Sequence, residues 1–88
     1  MEFIIDLIDS VKSNHNIEKV NNQEKITKLL IKNSNKEFKW NNIEKFLNLE
    51  ILQIENCWLD NLKFFTSISK LQKLTTLKYN ENCFFQKS

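Results

Sequence analysis

One spacing of apolar residues occurs twice in this chain of 88 residues and limits what it can fold into. The spacing is seen in full at Leu49, Leu52, Ile54, Cys57 and Leu59. It returns further along the chain at Leu74, Leu77, Tyr79, Asn82 and Phe84. A partial copy precedes both, at Ile26, Leu29 and Ile31, where Ser34 and Lys36 depart from the pattern. The copies begin at Ile26, Leu49 and Leu74, and a period in the twenties is typical of repeat proteins, whose units pack on one another.

Written out, the pattern is L-x-x-L-x-L-x-x-(N/C)-x-L, and it resembles the leucine-rich repeat family across residues 17–85. The resemblance implies one α/β domain over residues 1–88, a short solenoid with units at 17–39, 40–64 and 65–88. Each unit places a parallel strand on one face and returns through a helix or 3₁₀ turn on the other. We expect the ninth residue of a unit, Cys57 or Asn82, to contact backbone groups freed at the turn.

The first residues of the chain have a helical pattern. Apolar residues at helical spacing are Phe3, Ile4, Leu7, Ile8 and Val11, and the opposite face is mainly acidic. Because a short repeat stack has two open ends, residues 1–13 are predicted to be an N-terminal amphipathic helix that caps the first repeat.

The composition restricts how the chain can turn. Gly and Pro are absent, so Asn, Asp and Ser must form the turns, and Asn tolerates a positive φ best. Asp60 is predicted to be the N-cap of a helix with Phe64, Ile68 and Leu71 inward. All 13 cationic side chains are Lys, and the weight of Asn, Lys and Ile indicates an AT-biased genome.

Catalytic and metal-binding patterns are missing from the sequence. The single histidine, His15, is predicted to lie in a polar turn, and a phosphate loop needs Gly. Cys57 and Cys83 lack zinc-finger spacing and would point in opposite directions, which disfavours a disulfide. We therefore expect no enzyme activity, no metal and no cofactor.

The outward strand positions predict a surface for binding another protein. In neighbouring repeats these positions align in three rows: Lys28, Ile51 and Thr76; Leu30, Gln53 and Lys78; Lys32, Glu55 and Asn80. Apolar residues among mixed charges suit a protein interface better than a small-molecule pocket. We expect an adaptor or a stoichiometric inhibitor, and the size suits an immunity or antagonist protein of phage or viral type.

Two alternatives stay open beside protein binding. A nucleic-acid binder would depend on Lys28, Lys32 and Lys78, although the net charge is only +2 and Lys alternates with Glu. A self-associating protein would form a homodimer through its open C-terminal edge, near Phe84 and Phe85. No apolar stretch is long enough to span a membrane and the start is acidic, so a cytoplasmic location is expected.

Overall fold

The computed structural model describes residues 2–6 and 20–85 of the chain, and it shows a mixed α/β fold. The strands of the described part, in chain order, are β1 (Glu2–Asp6), β2 (Lys28–Lys32), β3 (Ile51–Glu55), β4 (Trp58–Asp60), β5 (Thr76–Asn80) and β6 (Cys83–Phe85). The helical segments there are two 3₁₀ turns, η1 (Gln23–Lys25) and η2 (Trp40–Lys45), and one α-helix, α1 (Asn61–Ile68).

Four of these strands form a parallel sheet in the order β1-β2-β3-β5. The register places equivalent positions of the sequence repeat side by side, with Leu29 beside Leu52 and Leu52 beside Leu77. A second, two-stranded parallel sheet pairs β4 with β6, so that Trp58 lies beside Cys83. Each full copy of the repeat therefore contributes a strand to both sheets.

The N-terminal segment corrects the prediction of a helix. Residues 2–6 form strand β1, which lies parallel to β2 with Phe3 beside Leu29 and Ile5 beside Ile31. Ile5 is only 3% exposed, whereas Ile4 is 56% exposed, because successive strand residues face opposite sides. The free edge of β2 offers hydrogen bonds that a helix would leave unused. The rest of the predicted cap, residues 7–13, lies outside the described residues.

The return segments follow the apolar spacing of the sequence. Apolar residues every three positions match the three residues per turn of a 3₁₀ helix, and both Trp40 and Ile43 of η2 are buried. Helix α1 begins after Asp60, whose carboxylate accepts the backbone N–H of Lys63 at 3.3 Å. The predicted N-cap is confirmed, and Phe64 of this helix is fully buried.

The turns confirm the expected role of asparagine. Four described residues have positive φ: Asn22, Asn33, Asn56 and Glu81. The last three occupy one position of the sequence repeat, directly after strands β2, β3 and β5. Asparagine therefore replaces glycine at two of the three strand ends, while a glutamate adopts the same backbone at the third.

The ninth residues of the repeat bind the neighbouring turn, as predicted. The Asn82 side chain accepts the N–H of Cys57 and donates to the carbonyl of Ile54, both at 2.8 Å. The Cys57 thiol lies 3.5 Å from the backbone carbonyl of Ile31. The Ser34 hydroxyl lies 3.5 Å from the backbone carbonyl of Trp58. These contacts hold each strand end against its neighbour.

One apolar core unites the strands and the return segments. Its buried members are Ile5, Val20, Ile26, Leu29, Ile31, Phe38, Trp40, Ile43, Phe46, Leu49, Leu52, Ile54, Cys57, Leu59, Phe64 and Leu71. In the described part of the chain, no helix has the length and apolar character needed to cross a membrane.

Candidate protein-binding site

The side of the four-stranded sheet that faces away from the core is called the strand face here. It holds the nine residues predicted from the sequence, and the register aligns them in three rows. The rows are Lys28, Ile51 and Thr76; Leu30, Gln53 and Lys78; Lys32, Glu55 and Asn80. Lys78 and Asn80 are exposed and the other seven are half-buried. The spacing of the repeats thus places these side chains on one surface.

Strand β1 adds residues to this face that the sequence prediction missed. Glu2 and Ile4 extend two of the rows, because they lie beside Lys28 and Leu30, and the backbone of Asp6 pairs with Lys32. The signal was available in the spacing, since Phe3 precedes Leu29 by close to one repeat period. The helical pattern of residues 2–12 concealed it, since Phe3–Ile5 is too short a run to distinguish a strand from a helix.

An apolar centre lies on the strand face at Ile4, Leu30 and Ile51. Ile4 is directly beside Leu30 in the register. Leu30 pairs with Gln53, which lies two positions along β3 from Ile51. Diagonal neighbours in a sheet remain within reach of long side chains. These three residues therefore form a band of apolar side chains across strands β1, β2 and β3.

Charged groups flank this apolar centre, and most of them are paired. The Lys28 ammonium lies 3.8 Å from the Glu2 carboxylate, and the Lys32 ammonium lies 3.6 Å from that of Glu55. Gln53 donates its amide N–H to Glu55 at 3.0 Å. Pairs this exposed contribute only about 0–1 kcal/mol to stability. Lys78 makes no ion pair with any described residue. Of the three lysines on the strand face, it is therefore the one whose charge no described carboxylate neutralises.

The two tryptophans occupy different environments. Trp40 is buried and donates its indole N–H to the carbonyl of Trp58 at 3.1 Å. Trp58 itself is 38% exposed, with the Lys36 ammonium 4.4 Å from its ring centroid. Trp40 is therefore a core residue, and Trp58 lies on the surface away from the strand face.

The two cysteines are not linked to each other. Cys57 is buried and Cys83 is exposed, which agrees with the predicted divergence of their side chains. Burial raises the pKa of the Cys57 thiol, an effect that hydrogen bonds from Ser34 partly oppose. No group of three or more His, Cys, Asp or Glu residues that could hold a metal ion occurs within residues 2–6 and 20–85. His15 lies outside those ranges.

Comparison with known proteins gives no assignment. No protein-family model, curated protein or solved structure matches the chain.

Proposed function

We propose that this chain is a short leucine-rich-repeat solenoid that binds another protein through the strand face. The observation that carries the proposal is the apolar centre of Ile4, Leu30 and Ile51 surrounded by polar groups. An apolar middle within a polar rim is the usual arrangement of a protein interface. Since the sequence offers no catalytic constellation, the activity proposed is binding itself, as an adaptor or as a stoichiometric inhibitor that occupies a site on its target.

The charges define the kind of partner that fits. The partner should present an apolar side chain to the apolar centre and a carboxylate to Lys78, which is exposed and has no ion pair among the described residues. The ion pairs of Lys28 with Glu2 and of Lys32 with Glu55 present little net charge. A small module of this kind suits an antagonist or immunity protein of phage or viral type.

These pairings disfavour the alternative of nucleic-acid binding. A protein that binds the phosphate backbone needs several unpaired cations on one surface, because affinity comes from the release of counterions. Two of the three lysines on this face lie within 4 Å of a glutamate oxygen. The strand face therefore lacks the continuous positive stripe of a nucleic-acid binder.

The test is affinity capture from lysate of the source cells, followed by titration of the purified partner. The double variant Leu30→Glu and Ile51→Glu places two carboxylates in the apolar centre. We expect it to lose a single protein that the wild type retains at a stoichiometry of one to one. Loss of two central apolar contacts should weaken binding by at least about 100-fold.

A matched variant separates this effect from general damage to the surface. Leu47 is 64% exposed and lies in the turn before β3, outside the strand face. Leu47→Glu should bind as the wild type does. Retention of nucleic acid in place of a protein, or equal binding by all three chains, would overturn the proposal.

A further inference from the structure

The last copy of the repeat is uncovered on the side where another strand would follow. In the middle copy, the apolar residues Leu49, Leu52, Ile54 and Leu59 are all fully buried. Their equivalents in the last copy are Leu74, Leu77, Tyr79 and Phe84. Of these, the two leucines are half-buried, Tyr79 is 43% exposed and Phe84 is 49% exposed. Residues that serve as core elsewhere in the chain thus contact solvent here.

Aromatic rings gather on this uncovered side and form what we call the end cluster: Phe65, Tyr79 and Phe84. The Phe65 and Phe84 rings are stacked with centroids 6.1 Å apart, and Tyr79 lies 5.9 Å from Phe84. Buried Phe64 supports the cluster, with its centroid 5.3 Å from Phe65 and 6.2 Å from Tyr79. The rings hold one another in place, yet each leaves almost half of its surface exposed.

An open strand edge lies beside the end cluster. Strand β5 ends the order β1-β2-β3-β5 and has no described neighbour on its outer side. The backbone N–H of Thr76 donates to the backbone carbonyl of Glu50, and the carbonyl of Asn80 accepts the N–H of Asn56. The backbone groups of the even-numbered residues of β5 therefore point toward β3. By alternation, Leu77 and Tyr79 direct their backbone N–H and C=O groups outward. Such an edge is a template for a further strand.

We propose that two copies of this chain associate through the end cluster and the outer edge of β5, with the two β5 strands antiparallel about a two-fold axis. A two-fold axis places each end cluster against its equivalent, so one apolar surface covers the other. The two sheets then join into one. The assembly stops at two copies, because one edge of β5 is paired with β3 and the two-fold contact occupies the other edge in both copies.

The opposite end of the sheet argues against an open chain of copies. A head-to-tail assembly would bring the β5 edge of one copy to the β1 edge of the next. Strand β1 offers less apolar surface on its core side, since Ile5 is 3% exposed and Phe3 is half-buried, and no described aromatic ring there is as exposed as those of the end cluster. Among the described residues, the uncovered core positions thus gather at the C-terminal end of the stack.

Charge selects the alignment of the two strands. If Lys78 lay opposite Lys78 of the second copy, two like charges would face each other, which is unfavourable. A register centred on Tyr79 places Lys78 opposite the uncharged Asn80 of the second copy. The same register puts Tyr79 in a hydrogen-bonded pair with its equivalent. We therefore expect this alignment.

The size of the surface sets the expected affinity. The exposed halves of the three rings amount to about 300 Å² per copy, given 150–250 Å² for a whole aromatic side chain. Stable complexes bury about 800 Å² per partner, which the edge of β5 and the half-buried Leu74 and Leu77 would only partly supply. We expect a dimer that forms at micromolar concentrations and dissociates on dilution.

The test is sedimentation equilibrium of the full chain from low micromolar to millimolar concentration. The wild type should pass from monomer to dimer and no further. Phe84→Asp should weaken association at least about 30-fold, the effect of losing one interface hot spot. Phe65→Asp, on the surface of α1, should weaken association to the same extent. It is the variant to use if Phe84→Asp changes the circular dichroism of the monomer and therefore its fold.

Controls distinguish this interface from the strand face. Leu62 lies on the same helix as Phe65 and is 68% exposed, but it is not part of the end cluster. Leu62→Asp should leave the dimer intact, as should Leu30→Glu combined with Ile51→Glu. A wild type that stays monomeric, forms growing oligomers, or dimerises equally well with Phe84→Asp would overturn the proposal.

Discussion

The side-chain carbonyl of Asn82 accepts the backbone N–H of Cys57 at 2.8 Å. The two residues are far apart in sequence, but they occupy the same position in successive repeats and therefore lie side by side. The amide of Asn82 also donates to the carbonyl of Ile54. One side chain thus satisfies a donor and an acceptor of the preceding turn. Cys57 has only a weak thiol donor for the equivalent task.

Asn82→Ala should destabilise the protein by about 2 kcal/mol, because it leaves the backbone N–H of Cys57 without its acceptor and removes a second hydrogen bond, to the carbonyl of Ile54. The free energy of unfolding from urea titration measures this. Asn80→Ala is the matched control, since Asn80 is exposed on the strand face, and it should change the value by less than about 0.5 kcal/mol. Equal effects of the two substitutions would contradict the role assigned to Asn82.

Glu81→Asn should stabilise the protein by about 1 kcal/mol, because a left-handed conformation costs most residues about 1–2 kcal/mol and costs Asn less. Glu81 adopts that conformation, with φ 54°. Asn33 and Asn56 already occupy the equivalent positions. A higher urea midpoint at an unchanged slope is the expected observation. Glu37→Asn, at another exposed glutamate, is the control and should give no such gain. An unchanged midpoint for Glu81→Asn would show that the left-handed conformation of Glu81 carries no energetic cost.

Glu44 should make stability depend on pH in the acidic range. Its pKa is lowered by the hydrogen bond from Lys70, whose ammonium lies 3.0 Å away, and by that from Ser67 at 2.9 Å. A carboxylate whose pKa is lower in the folded chain than in the unfolded chain stabilises the fold at pH values above its unfolded-state pKa. That stabilisation is lost as the pH falls through its folded-state pKa. Glu44→Gln should flatten the fall in stability below about pH 4.3.

The control for this titration is Glu37→Gln. Glu37 is exposed and makes no ion pair with any described residue. Urea midpoints of both variants are compared with the wild type from neutral pH down through the carboxylate range. A slope for Glu44→Gln equal to that of the wild type would show that the contacts with Lys70 and Ser67 do not form in solution.

The two cysteines should differ in reactivity. Cys83 is exposed, while Cys57 is buried with a raised pKa, so little thiolate is available at the buried site. An alkylating reagent at neutral pH should modify one thiol of the native chain and both after unfolding, as counted by mass spectrometry. Rapid modification of Cys57 in the native state would contradict its place beneath the turn.

Local signals in the sequence predicted much of this fold. The repeat spacing predicted strands β2, β3 and β5 and also their register, because equivalent positions of successive repeats lie side by side. Asp60 predicted the start of α1 because an N-cap depends only on the residues that follow it directly. Strand β1 was missed because its run Phe3–Ile5 is too short to distinguish a strand from a helix and fits both periodicities. Strands β4 (Trp58–Asp60) and β6 (Cys83–Phe85) are too short to carry a periodicity of their own.

That error had a consequence for the candidate site. The helical interpretation placed Ile4 against the core, so the predicted strand face had only Leu30 and Ile51 as apolar members. The strand turns Ile4 outward and Ile5 inward. The nine predicted residues lie where the spacing put them, but the apolar centre includes a residue that only the pairing of β1 with β2 brings there.

Ile5→Ala and Ile4→Ala distinguish the two descriptions of this segment. In the strand, Ile5 is 3% exposed and its truncation should cost about 2–4 kcal/mol, whereas Ile4 is 56% exposed and should cost less than about 1 kcal/mol. In an amphipathic helix with Phe3 and Ile4 inward, the Ile4 variant would be the costly one. The free energies of unfolding of both variants, measured by urea titration, decide between the descriptions. A larger loss for Ile4→Ala than for Ile5→Ala would restore the helix and remove Ile4 from the strand face.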